Sequence, residues 1–547
     1  MKLNCLRPLW GLLVGAWLLP ACQQQYSTEK MEAVAVAETP AAPTDATEPA
    51  DSKAADTTQE SRENYAVIHE NPFLDAARNP LSTFAIDVDR ASYANVRRFL
   101  AQNRQLPPPD AVRLEELVNY FPYKYPQPRT GPASLNAEVA ACPWNPAHQL
   151  VLVGVQGKQV DTESLPPANL VFLLDVSGSM NDPDKLPLLK ESLQLLVRES
   201  LRPQDYVSIV VYAGAAGVVL PPTSGAEPET ILRALNALEA GGSTAGGEGL
   251  RLAYQLARQH QRPGGNNHII LATDGDFNVG EQSDADMERL ITKERESGVF
   301  LSVLGFGAGN LQDSKMELLA DKGNGNYAYI DQLGEARRVL VQQFGGTLFT
   351  LAKDVKVQVE FNPALVREYR LLGYENRLLA AEDFNDDHKD AGELGAGQQV
   401  TALYEVVPVG APATASASID ALKYQTTATT RAAAASPELL TVKLRYQEPQ
   451  GSPSQLLTLP VRGVRLGEPI AQASENLRWA AAVAQFGLLL RGSRYAGTAT
   501  WASTTELART TDGPDADGTR TEFRELVQQA AALGSRENVL QSAARKD

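Results

Sequence analysis

The middle of this 547-residue chain reads as an α/β fold, a Rossmann-like doubly wound sheet that is mostly parallel. Three segments carry that reading. Leu170-Val171-Phe172-Leu173-Leu174 is an unbroken apolar run, as strands buried on both faces are, and it ends in Asp175-Val176-Ser177-Gly178-Ser179. His268-Ile269-Ile270-Leu271-Ala272-Thr273 is a second such strand, ending in Asp274-Gly275. Between them Gly241-Gly242-Ser243-Thr244-Ala245-Gly246-Gly247 is a loop of small residues ahead of a helix. That helix has Leu250, Ala253, Leu256 and Ala257 on its apolar face. Open α/β sheets place ligand sites at the carboxyl ends of their strands. Acids and hydroxyls gathered there are hard oxygen donors, suited to a divalent cation such as Mg²⁺.

At the amino end, Met1-Lys2 and Arg7 precede an apolar core over 10–19, too short to span a bilayer as a stable helix. Leu19-Pro20-Ala21-Cys22 resembles a bacterial lipoprotein signal, which implies cleavage before Cys22 and lipid on its sulfur. Pro20 departs from the small or β-branched residue usual there, and an ordinary secretory signal cut near Ala21 is the alternative. Residues 23–64 are rich in Ala, Thr, Glu, Pro, Ser and Asp and read as a flexible tether. Gln23 is not the Asp that retains lipoproteins at the inner membrane, so the protein is expected in the cell envelope, on the outer membrane if the cell is Gram-negative.

Three folded regions follow. Residues 65–165 should hold a short strand in the stretch from Ser82 that leads into a helix over 91–103, a second helix over 109–119, and strands over 135–142 and 149–157. Asp87, Asp89 and Ser92 lack the spacing of a second metal motif and read as a helix cap or turn. Residues 166–350 should form the α/β domain. After Asp175 come a helix over 185–200, a hairpin of 206–212 with 217–220, and helices over 228–239 and 247–261 around Thr244. Strand 267–273, helix 285–297, strand 299–305, helix 313–322, strand 327–330 and helix 333–349 complete it. Residues 351–547 should supply strands over 354–362, 399–408, 439–447 and 456–461, an Ala/Thr/Ser-rich loop over 409–437, and helices over 474–491 and 519–533. The apolar run 479–490 is too short for a membrane span and should pack on the body. Strands both enter and leave the α/β domain. The simplest arrangement is therefore that domain inserted in a flanking, mainly-β, sandwich-like domain with accessory helices.

The ordered motifs closely resemble the von Willebrand factor type A (VWA) domain. Its metal-ion-dependent adhesion site, D-x-S-x-S then T then D, corresponds here to Asp175, Ser177, Ser179, Thr244 and Asp274. The resemblance implies that Ser177 and Ser179 bind the ion directly and Thr244 directly or through water. Asp175 and Asp274 hold coordinating waters, and a Glu or Asp carboxylate of a protein partner takes the open position. Mg²⁺ is the expected ion, with Mn²⁺ or Ca²⁺ as alternatives. By analogy with integrins, the last helix of the domain, 333–349, is expected to pass movement to the strand that follows it. The flanks resemble a family of bacterial VWA-domain lipoproteins. They do so through Ser82-Thr83-Phe84-Ala85-Ile86-Asp87-Val88-Asp89, Cys142-Pro143-Trp144-Asn145, Gly373-Tyr374-Glu375-Asn376-Arg377 and Glu382-Asp383-Phe384-Asn385-Asp386-Asp387.

Composition narrows the function. A net charge of −16 and a pI near 5.0 argue against nucleic acid as a partner and give no attraction to anionic lipid. Outside the leader the one cysteine is Cys142, so the body holds no internal disulfide; Cys142 reads as a small buried residue. The acidic stretch 382–390 lacks the Gly and closing Glu of an EF-hand, and Asp182 and Asp184 read as a solvated turn. His69, His148, His260, His268 and His388 show no metal-ligand spacing, and nucleophile-elbow and phosphate-loop motifs are absent. The expectation is adhesion, not catalysis. A scaffold whose metal is only structural is the first alternative and a metal-dependent hydrolase the second.

Overall fold

The computed structural model describes residues 62–161, 164–243, 246–275, 277, 284–343, 349–412, 429–449, 451, 453–463, 469–511, 513 and 515–544. Cys22, the tether up to residue 61 and Thr244 therefore lie outside the described residues.

Six strands form the central sheet, in the order Asn324–Ile330, Val299–Phe306, Asn266–Thr273, Ala168–Asp175, Tyr206–Tyr212 and Ala216–Ser224. All neighbours are parallel except the last pair. Strand side chains alternate between faces, and both faces are covered. Leu170, Phe172 and Leu174 pack with Leu189, Leu193, Ile231 and Leu235 of helices Leu186–Glu199 and Pro228–Asn236. Val171 and Leu173 pack with Leu250, Tyr254, Ile291 and Met316 of helices Gly246–Gln259, Asp284–Glu296 and Asp313–Lys322. Double coverage is why the run 170–174 contains no polar residue.

Two antiparallel sheets flank this domain, and each mixes segments from before and after it. One has the order Leu74–Asp75, Val366–Leu372, Gln399–Pro408, Asn145–Gly157, Ala133–Cys142. The other runs Leu378–Leu379, Leu81–Ala85, Thr350–Phe361, Glu438–Gln447, Gln455–Arg462. Phe84, Val151, Val153, Val357, Val359, Tyr404 and Val442 fill the space between them, so the two sheets are the layers of a sandwich. The VWA-type domain is thus inserted in the flanking β domain. Leu150 and Leu152, one residue out of phase, join the opposite core with Leu117, Trp479, Phe486 and Phe523. That core binds the accessory helices Leu114–Asn119, Glu475–Arg491 and Thr519–Ala544 to the sandwich, and it buries the run 479–490.

Several sequence expectations need correction. The helix expected over 109–119 is broken into a 3₁₀ turn at Pro109–Ala111 and a helix at Leu114–Asn119. Ser92 causes the break: its hydroxyl donates to Ala111 O (2.7 Å) and accepts from Arg113 N (2.9 Å), satisfying backbone groups that a continuous helix would have paired. Asp87, Asp89 and Ser92 therefore do not cap the helix Ala91–Arg97, which has no side-chain cap. Asp89 instead accepts from Tyr327 N (2.7 Å) and pairs with Arg377 (3.0 Å). Of the helix expected over 333–349, Leu333–Arg337 is α-helical and Arg338–Gln342 a π turn; 344–348 lie outside the described residues. Its start is clamped by Arg97, which pairs with Asp331 and with Glu335 (2.7 Å). The strand Val366–Leu372 was not anticipated because its polar Arg370 is buried against Glu405 (3.1 Å), a pairing invisible to local pattern. The helix Trp501–Arg509 is short and polar but carries a reciprocal Thr500–Ser503 capping box.

Acids are concentrated where the inserted domain meets its flanks. Arg113 binds Asp313 (2.6 Å), Glu317 (2.8 Å) and Glu116 (3.3 Å). Burial, reinforced by Glu375, pushes the Glu115 carboxyl up to about 7. Burial outweighs Arg113 at Glu116 and Arg377 at Asp87, raising them to about 8 and about 7. A carboxyl raised in the folded state binds more protons there than in the unfolded chain. Its contribution is present at low pH and lost as pH rises through the folded value. The urea midpoint is therefore expected to fall between pH 6 and pH 9. A midpoint that holds steady or rises over that interval would contradict this reading.

Candidate metal site at the carboxyl edge of the sheet

The strand Ala168–Asp175 lies between Asn266–Thr273 and Tyr206–Tyr212; the chain goes on from it to Tyr206–Tyr212 on one side, and from Asn266–Thr273 to Val299–Phe306 on the other. This is a topological switch point, where the loops after two neighbouring strands diverge and leave a crevice. The parallel register pairs Leu174 with Ala272, which brings Asp175 and Asp274 to one edge from positions 99 apart in sequence. Both carboxylates are fully buried.

The loop after Asp175 is held by its own side chain. Asp175 Oδ1 accepts from Ser177 N (2.9 Å) and Oδ2 from Thr273 Oγ1 (3.3 Å). The Ser177 and Ser179 hydroxyls stand 3.1 Å apart, Ser177 buried and Ser179 exposed. The small-residue loop docks against them, with Gly241 N donating to Val176 O (2.7 Å) and Gly178 N to Gly242 O (3.1 Å). Gly242 has φ +87°, a conformation natural to glycine. The structure thus gathers Asp175, Ser177, Ser179 and Asp274 and brings the Thr244 loop to them as far as Ser243. Gly275 is also required: at φ +112°, a Cβ there would lie 2.5 Å from Asn310 O and 2.7 Å from Gln312 N.

Burial pushes the Asp175 carboxyl up to about 6, with the Ser177 hydrogen bonds opposing and Asp274 reinforcing. At Asp274, burial is outweighed by Lys185, Asn310 and Ser179, which hold the carboxyl below its usual range. Lys185 and Asn310 were not anticipated from sequence. Lys185 Nζ lies 2.9 Å from Asp274 Oδ2 and 3.2 Å from Asn310 Oδ1, and Lys185 is itself buried. Its stem runs past Gly307, where any side chain would block it. The available signal was positional: Asn310 follows the strand Val299–Phe306, and Lys185 precedes the helix Leu186–Glu199, both at the same sheet edge.

The donors fit a small divalent cation. Two ligands on adjacent octahedral positions with ~2.1 Å bonds stand about 3 Å apart, close to the 3.1 Å between the serine hydroxyls. Ser179 is exposed, while Ser177 and the two acids are buried. When bound, the ion would supply electrophilic charge to an incoming oxygen ligand. Among the described residues no group of three or more His, Cys, Asp or Glu is arranged to hold a metal, so the hydroxyl-based site is the candidate.

A doubly wound sheet with this cluster at its switch point defines a VWA-domain protein, and the von Willebrand factor type A domain profile matches residues 169–343. A profile described as von Willebrand factor matches 59–152, and one described as the C-terminal part of the uncharacterized protein YfbK matches 346–533. The chain belongs to the YfbK family: it is 46% identical to YfbK of Escherichia coli (strain K12) over 474 residues, spanning 85% of this chain and 80% of that one. It is 31% identical over 192 residues to the uncharacterized protein sll0103 of Synechocystis sp., spanning 35% of this chain and 44% of that one. Among solved structures, a von Willebrand factor type A protein from Catenulispora acidiphila aligns with a TM-score of 0.39 at 17% identity, over 71% of this chain and 89% of that one. The VWA domain points to an interaction or scaffold role.

Proposed function

We propose that this protein is a lipid-anchored component of the cell envelope that binds a protein partner through a divalent cation held by Asp175, Ser177, Ser179, Thr244 and Asp274. The observation that carries this is the convergence of the two buried acids and the serine hydroxyls at the switch point, with Ser179 turned to solvent. The partner supplies a Glu or Asp carboxylate. Mg²⁺ is the proposed ion. Lys185 weighs against a purely structural metal, because it already neutralises Asp274 within the fold. The two serine hydroxyls contact each other, and the sequence supplies no histidine near them to act as a base, so binding is favoured over hydrolysis. Cys22 is the proposed lipid attachment point, with the outer membrane favoured in a Gram-negative cell.

Residues 60–547 form a compact unit. That unit, used as bait on an envelope extract, is expected to retain partners in Mg²⁺ and lose them in EDTA or after Asp175→Ala, with an unchanged far-ultraviolet spectrum. Equal capture in all three conditions would reject the adhesive reading. In cells, Cys22→Ala is expected to move the full-length protein out of the membrane fraction, and continued membrane association would reject the anchor.

A further inference from the structure

A cavity of about 340 Å³ lies on the helix 333–342 side of the central sheet, where that domain faces its flanks. It is remote from the metal site, extending along the sheet from His268 and Ser302, near the amino ends of their strands. Its apolar wall is Ile270, Leu304, Ala328 and Leu340, and its charged residues are Arg90, Arg338 and Asp89. The size falls within the range of small-molecule sites, about 300–1,000 Å³.

The charges are the unusual feature. Arg338 is 8% exposed, its guanidinium stacks 3.8 Å from the centre of the Tyr120 ring, and its Nε has no hydrogen-bond partner. Among the described residues neither Arg90 nor Arg338 forms an ion pair, although Arg97, Arg98, Arg113 and Arg377 around them all do. The nearby acids are already engaged. Glu335 accepts from Arg97 and from the Tyr120 hydroxyl (2.7 Å each), and Asp89 accepts from Arg377 (3.0 Å) and Tyr327 N (2.7 Å). Burial and the charge of Arg338 together press the Arg90 guanidinium down to about 10. The two guanidiniums repel each other, Glu335 and Asp89 offset only part of the cost at Arg90, and a bound anion would offset more of it.

We propose that this cavity binds an amphipathic organic anion, with a carboxylate held by Arg90 and Arg338 and an aliphatic tail laid on Ile270, Leu304, Ala328 and Leu340. Guanidiniums match a carboxylate in geometry as well as charge. The ligand would bridge the inserted domain, which supplies Arg338, and the flanking segment, which supplies Arg90.

The test uses residues 60–547 in EDTA, so that failure here is independent of failure at the metal site. Octanoate is the probe, octanamide its neutral isostere and acetate the headgroup alone, with titration calorimetry and thermal midpoint as readouts. Octanoate is expected to bind and raise the midpoint, with octanamide and acetate at least about tenfold weaker. Arg90→Met and Arg338→Met should each weaken octanoate at least about tenfold. Ala328→Leu, which keeps both charges and fills the cavity, should also abolish binding, so the result does not depend on one variant folding. Octanamide binding as well as octanoate, acetate binding as well as octanoate, or octanoate binding undiminished in the variants would each overturn the proposal, as would no binding of octanoate at millimolar concentration.

Discussion

Arg377→Ala is expected to destabilise the protein by about 3–5 kcal/mol, the usual cost of removing one partner from a buried charge network. Arg377 pairs with Asp89 (3.0 Å), Asp87 (3.5 Å), Glu317 (3.6 Å) and Asp321, and its side chain is 10% exposed. Asp87 and Asp89 precede the inserted domain, Glu317 and Asp321 belong to its helix Asp313–Lys322, and Arg377 follows it. One guanidinium therefore joins three separate parts of the chain. Without it, four carboxylates face one another with little water to screen them. Arg377→Lys keeps the charge but loses the planar fork, and an intermediate loss is expected. Urea unfolding near neutral pH measures both variants. A loss for Arg377→Ala below about 1 kcal/mol, the scale of an exposed ion pair, would show that the network does not hold the domains together.

Lys185→Met is expected to act in opposite directions on the metal-free and metal-bound protein. Without metal, the variant removes the ammonium that offsets the charge of buried Asp274, so the thermal midpoint should fall markedly in EDTA. With Mg²⁺, the repulsion between ammonium and cation disappears. A unit charge and a divalent ion about 4 Å apart repel by roughly 8 kcal/mol at an effective dielectric near 20. Mg²⁺ affinity should therefore rise at least about tenfold, and added Mg²⁺ should restore more stability to the variant than to the parent protein. Calorimetric titration of Mg²⁺ decides the matter. Unchanged or weaker binding would mean that Lys185 supports the metal-bound state instead of standing in for the ion.

The sequence by itself determined the α/β class and the insertion of that domain between β-rich flanks, and it nominated Asp175, Ser177, Ser179 and Asp274, which the fold brings together. These were legible because they are local. A strand buried on both faces is mostly apolar, as 170–174 and 269–272 are, and a site at a strand end is written beside its strand. The run 479–490 was likewise readable as a packed helix from its length. Only the tertiary structure decided what joins distant segments. Lys185 on Asp274, Arg377 on Asp87 and Asp89, and Ser92 in the break before Leu114 are pairings between residues that look, in sequence, like ordinary polar positions. The motifs 82–89 and 373–377 were visible as family marks, but not as two halves of one ion-pair network. A charge carries no periodicity that names its partner: hydrophobic burial leaves a pattern in the chain, whereas an ion pair is defined by a distance that exists only once the chain has folded.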